Sequence, residues 1–163
     1  MAPISVFVFP KHFSFARENI KTEGETDMER RMTTSMQLMG RFDIKEKLPG
    51  MNEIIAASKK HWAVYAKMKE RYTELVCLEA MAARVKPVTN QVLVILDWHE
   101  PEKGRRDPDN VFAGKKFIFD GLKRAGVIVD DNKKWVAGAR DNIDYDMLPK
   151  YFGVVVSVFD VVI

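Results

Sequence analysis

Residues 107–131 read DPDNVFAGKKFIFDGLKRAGVIVDD and hold five aspartates around an apolar-patterned segment that carries the pair Lys115-Lys116. Four of the acids form two tight groups, Asp107 with Asp109 and Asp130 with Asp131. Pro108 fixes its own φ and biases Asp107 towards extended backbone, which holds the first two carboxylates close to the start of the segment that follows. Carboxylates gathered without counter-charge raise one another's pKa and cost stability. A hard divalent cation removes that cost, and an all-oxygen ligand set with no Cys/His pattern suits Mg2+ or Mn2+. Ions of this kind activate water and stabilise the leaving oxygen of a phosphodiester. A neighbouring lysine stabilises the charge that develops in the transition state.

The charge around the acids points the same way. From residue 101 to residue 140 there are ten Lys or Arg against six Asp or Glu, in a chain whose net charge is only +3. Arg105 and Arg106 stand directly before the acidic group, and Lys133 and Lys134 follow it. A basic rim around an acidic knot is what a site for a phosphate polyanion and a metal cation requires. Taken one at a time, the same residues have plainer roles: a mixed-charge surface, turn and cap aspartates at 107 and 109, a strand exit at 130–131. Asp120 reads as a helix-surface partner of Lys116 or Lys123. An EF-hand is excluded. Counted from Asp107, Phe112 and Ile118 occupy the glycine and closing positions; counted from Asp109, Val111 and Ala113 occupy ligand positions.

The elements that must position these groups follow from the apolar pattern. The chain has 163 residues, 47% hydrophobic and 30% charged, enough for one core-bearing domain. The single Cys77 excludes an internal disulfide and suits a reducing, cytoplasmic setting. The apolar run ISVFVF is too short for a signal-peptide core or a membrane span, so no membrane association is expected. Residues 1–41 read as a polar extension without clear period, and residues 42–163 as the domain. FDIKEKLPG alternates and predicts a short strand closed by Pro49-Gly50. Residues 52–84 predict one long helix with Trp62, Tyr65, Met68, Tyr72, Leu75, Leu78 and Met81 as its core stripe; Pro87 prevents continuation. QVLVILDWHEP predicts a central strand covered on both faces.

A second helix is expected over Val111–Ala125, capped by Asn110 and closed by Gly126. On it Phe112, Ile118, Phe119, Leu122 and Ala125 face the core, and Asp109, Lys116, Asp120 and Lys123 share another side. Val127–Val129 reads as a short strand beside the central one, bringing Asp130-Asp131 back to the first acidic group. Residues 133–145 hold a further strand, and YFGVVVSVFDVVI is β-branched and predicts the last. The order of elements predicts a single α/β or α+β domain.

The combination R-R-D-x-D-N, then K-F-I-F-D-G-L-K-R-A-G-V-I, then D-D resembles the RusA family of Holliday junction resolvases, in the form found in phages and prophages. The match is tight over Arg105–Asp131 and loose over LPGMNEIIAASKKHWAVYAKMKE and VLVILDWHEP; residues 1–41 have no counterpart. The resemblance implies a small mixed-sheet α/β homodimer with two main helices. It implies binding of branched DNA, the four-way junction, and paired symmetric nicking of two opposed strands with Mg2+ or Mn2+. It assigns catalytic and metal roles to Asp107, Asp109 and Asp131 and the catalytic lysine to Lys116. Arg105, Arg106, Asn110, Lys115, Lys133 and Lys134 would face DNA. The spacing from D-x-D-N to F-D is three residues longer than in the compact bacterial form, which leaves Lys115 as an alternative to Lys116, and Gly114 stands where a helix former is expected. Competing readings are a flap- or fork-selective metal nuclease and a junction-binding protein without turnover. A nucleotide-sugar transferase using D-x-D would need a longer chain.

Overall fold

The computed structural model describes residues 35–100, 106–144 and 152–162. Their elements, in chain order, are β1 (Ser35–Ile44), α1 (Met51–Lys60), α2 (Trp62–Ala82), β2 (Gln91–His99), α3 (Pro108–Phe112), α4 (Lys115–Arg124), β3 (Val136–Asp144) and β4 (Gly153–Val162). The strands form one mixed sheet in the order β1-β4-β2-β3. β4 runs antiparallel to both β1 and β2, and β2 pairs parallel with β3. A parallel pair needs a crossover, and α3 and α4 supply it. The domain is therefore a mixed α+β fold, as expected. Among the described residues no helix is long and apolar enough to cross a membrane.

The core lies between one face of the sheet and the helices. Phe42 and Ile44 of β1, Val92, Val94, Leu96 and Trp98 of β2, and Val154, Val156 and Val158 of β4 form one cluster with Val76 and Ala80 of α2 and Ile118 and Leu122 of α4. Each fully buried side chain of this size contributes about 1.5–3 kcal/mol. Gly121 allows α2 and α4 to close on each other: a Cβ there would lie 2.4 Å from Val76 Cβ. Arg124 then forks onto both oxygens of Glu70 at 2.8 and 2.9 Å, and Lys69 lies 3.1 Å from Asp120, so the same two helices are also joined by charge.

Several expectations change. The sheet begins at Ser35, so residues 35–41, assigned to the extension, belong to an edge strand. The long helix is broken at His61, whose backbone is extended. The face of α2 that is buried carries Thr73, Val76, Cys77 and Ala80. This is one position off the large-residue stripe, and it leaves Leu78 58% and Met81 60% exposed. Small residues win that face because α4 approaches closely. β2 is fully buried on alternate residues only, so it is covered completely on one face. Val127–Val129 forms no strand. Val127 and Ile128 tuck their side chains into the core, and Val127 N–H donates back to Leu122 O at 3.0 Å. Gly126, with φ +71°, ends α4 as expected. β4 bears out the reading of the last segment.

Candidate functional site

The expected helix over residues 111–125 is two helices. Asp107 is the residue before α3, and Pro108 occupies its first position, where a missing N–H costs nothing. The chain turns at Ala113-Gly114 and restarts as α4. A Cβ at Gly114 would lie 3.0 Å from Leu48 Cβ and 3.2 Å from Trp98 Cη2. The glycine lets the turn settle against those two side chains, which explains its presence where a helix former was expected.

Asn110 caps a different helix from the one assigned to it. Its Oδ1 accepts from Asn52 N–H at 2.9 Å, which ties the start of α1 to α3. Arg106 also has another role. Its Nε donates to Glu100 Oε2 at 3.0 Å, its Nη2 to Glu100 Oε1, and its Nη1 to Leu48 O at 3.2 Å. The two side chains are 12% and 4% exposed. This is a buried fork that joins the residue before the acidic turn to the residue that follows β2, which gives Arg106 a scaffold role. Arg105 lies outside the described residues.

A cleft of about 410 Å3 runs between α4 and β3, lined by Phe112, Lys115, Lys116, Phe119, Asp131, Val136 and Ala139. Phe112 and Phe119 are half-buried; they pack against the core, as expected, and also wall this cleft. Lys115 pairs with Asp141, and Trp98 Nε1 donates to the second oxygen of that carboxylate at 3.1 Å. Lys116 is half-exposed and stands 3.8 Å from Asp120. Lys133 and Lys134 are exposed, the latter 4.9 Å above the Trp135 ring.

The two acids of the D-D pair have different fates. Asp130 is paired with Lys123, and Asn132 Nδ2 donates to it at 2.6 Å. Lys123 foremost, then the Asp131 backbone N–H, holds the Asp130 carboxyl down at about 2, and Asp130 in turn raises Lys123. Asp131 is exposed towards the cleft and has no side-chain partner among the described residues. Every described carboxylate from Glu100 to Asp141 is paired, Glu100 with Arg106, Asp120 with Lys69, Asp130 with Lys123 and Asp141 with Lys115, except three: Asp107, Asp109 and Asp131.

These three do not converge. Asp107 and Asp109 follow the buried Arg106–Glu100 fork at the C-terminal end of β2. Asp131 precedes the turn whose Lys133 and Lys134 carbonyls accept from Gln91, the first residue of β2. A crossover between parallel strands delivers its two ends to opposite ends of the sheet, and the strand at 127–129 that was to reverse this is not formed. Among the described residues no three of His, Cys, Asp and Glu come together closely enough to hold a metal ion. The donor chemistry fits a hard cation, but among the described residues the grouping does not form one site. Sequence reasoning missed Asp141 and Glu100. Asp141 pairs with Lys115, 26 residues away, and Glu100 with Arg106, six residues away. No protein-family model matches the chain, and no curated protein is significantly similar to it.

Proposed function

We propose that this protein is a divalent-cation-dependent endodeoxyribonuclease that acts on branched DNA, nicking four-way junctions as the RusA-like motif implies. One observation carries the reading. The three carboxylates that the motif makes functional are, among the described residues from Glu100 to Asp141, the ones without an ion-pair partner, while Asp130, beside Asp131, is neutralised by Lys123. The neighbouring acids that hold the scaffold are paired, Glu100 with Arg106 and Asp141 with Lys115. Lys116, half-exposed on the cleft with Asp131, is the lysine available to meet developing negative charge. Lys133 and Lys134 extend the positive surface along the same loop. A junction has paired scissile strands, which a two-fold homodimer would match.

The separation of the acids favours a second reading, a junction-binding protein without turnover. Labelled four-way, flap and duplex DNA incubated with and without Mg2+ separates the two. Paired nicks in the four-way junction that require Mg2+ support the nuclease; binding without nicks under both conditions supports the binder; nicks confined to flaps or forks redirect the substrate assignment.

A further inference from the structure

Between Glu53 and Glu70 the chain has no carboxylate, and the stretch contains Lys59, Lys60, Lys67 and Lys69. Among the described residues only Lys69 of these four meets an acid, Asp120 of α4. The stretch covers most of α1, the break at His61 and the first turns of α2. At the break His61 Nδ1 accepts from Ala63 N–H at 3.1 Å, which caps α2 and fixes the geometry of the corner. Trp62 is the first residue of α2 and is 75% exposed, its ring centroid 5.6 Å from that of His61. Trp98, by contrast, is 2% exposed and hydrogen-bonded to Asp141. A rigid corner that holds an indole in solvent between unpaired lysines forfeits burial that a tryptophan ordinarily gains.

We infer that Trp62, with Lys59 and Lys60, is a stacking platform for an unpaired nucleotide: the base lies on the indole and its phosphates on the two ammonium groups. Aromatic stacking beside cationic side chains is how single-stranded nucleic acid is held without sequence preference. A second copy of this chain on the same patch would bring Lys59 and Lys60 against like charge across a two-fold axis. A bilayer needs a continuous apolar face, and here Asn52, Ser58 and Lys59 interrupt Met51, Ile55 and Trp62. The patch also has a defined distance from the acidic turn. α1 starts at the Asn52–Asn110 bond, and its ten residues span about 15 Å at 1.5 Å per residue. That is roughly four nucleotides at 3.4 Å per strand step. Placing the platform beside a scissile strand rests on the proposed function; the stacking itself does not.

The test uses the full chain in EDTA, so that no nicking occurs, with fluorescein-labelled oligothymidylate and a duplex of equal length as probes. Affinity is read by anisotropy and Trp62 contact by quenching of tryptophan emission. Trp62→Ala should weaken oligothymidylate binding about tenfold or more, and Trp62→Phe should restore it to within about threefold while removing the quench. Lys59→Gln with Lys60→Gln should lower the salt dependence. Equal binding by Trp62→Ala overturns the inference. So does a platform that contributes equally to duplex and oligothymidylate, that mediates self-association by light scattering instead, or that binds anionic phospholipid vesicles in place of the oligonucleotide. Loss of nicking with this stacking intact would sink the proposed function alone; intact nicking with no Trp62 effect would sink this inference alone.

Discussion

Lys115, on the first turn of α4, is ion-paired with Asp141 of β3, and the same carboxylate accepts from Trp98 Nε1 at 3.1 Å. One side chain thus joins the helix, the edge strand and the central strand at the mouth of the cleft. The relationship also separates the two adjacent lysines. Lys115 is committed to the scaffold, while Lys116, 49% exposed, stands towards solvent. Lys115→Ala should leave Asp141 without its counter-charge and lower stability by about 2 kcal/mol, discounted for partial exposure. Lys116→Ala should leave the melting temperature unchanged, keep junction affinity near normal and abolish turnover. Thermal melts and nicking assays on both variants check this. Loss of cleavage by a fully folded Lys115→Ala with Lys116→Ala active would reverse the assignment.

Arg106→Ala should act on stability and hardly at all on DNA affinity. The substitution strands the buried Glu100 carboxylate, a loss of about 3 kcal/mol. Lys133→Ala with Lys134→Ala should do the opposite, with the salt slope of binding falling by up to about two units and the fold intact. Denaturant titrations and salt-dependent binding isotherms distinguish the two patterns. An Arg106 variant of normal stability with a reduced salt slope would return Arg106 to the phosphate contacts.

The Lys123–Asp130 pair gives a pH signature. Asp130 is held at about 2, below the usual 3.8, so its contribution is present above the unfolded value and is lost as pH falls through about 2. Lys123 is raised above 10.5, so its contribution is present below that value and lost as pH rises through the raised one. The loop bearing Asp131 should therefore keep its tether throughout the neutral range. Carboxyl chemical shifts should place the Asp130 midpoint near 2, and Lys123→Met should return it to the ordinary carboxylate range. A midpoint near 4 in the unaltered protein would contradict the pairing.

Gly121→Ala should destabilise by about 1–3 kcal/mol, because its Cβ falls 2.4 Å from Val76 Cβ. Adding Val76→Ala should recover part of the loss, since the two sites touch and their effects do not add. A double variant showing the full sum of the single effects would mean that α2 and α4 do not close at this point.

How far the sequence could be read depended on whether a signal was local. The β4 segment was legible because a β-branched run has no other good conformation, and Gly126 because a helix end favours a residue that accepts positive φ. The stripe on α2 misled because large apolar residues at helical spacing compete with small ones, and close approach of Gly121 to Val76 selected the face of Thr73, Val76, Cys77 and Ala80. The turn at Ala113-Gly114 was hidden inside a continuous apolar pattern; its cause is the distant Leu48 and Trp98. The site followed the same rule. The path of the chain between α4 and β3 was not legible, because Val127 and Ile128 turn their apolar side chains to the core instead of a strand ladder, so the alternation expected to separate Asp130 from Asp131 is absent. Asn110 looked like the cap of its own helix because Asn52, which donates to it, lies 58 residues away, and the Arg106 bond to Leu48 O spans the same separation.

We propose Asp107, Asp109 and Asp131 as the working acids of a nuclease. The most direct test measures nicking of a labelled four-way junction in Mg2+ and binding of the same junction in EDTA for Asp107→Asn, Asp109→Asn, Asp130→Asn and Asp131→Asn. The 107, 109 and 131 variants should lose nicking by orders of magnitude and bind at least as well as the unaltered protein, since less negative charge faces the phosphates. The effect should be mild at Asp130, whose charge is already engaged by Lys123. Near-normal nicking by Asp131→Asn, or a larger loss at Asp130 than at Asp131, would contradict this assignment.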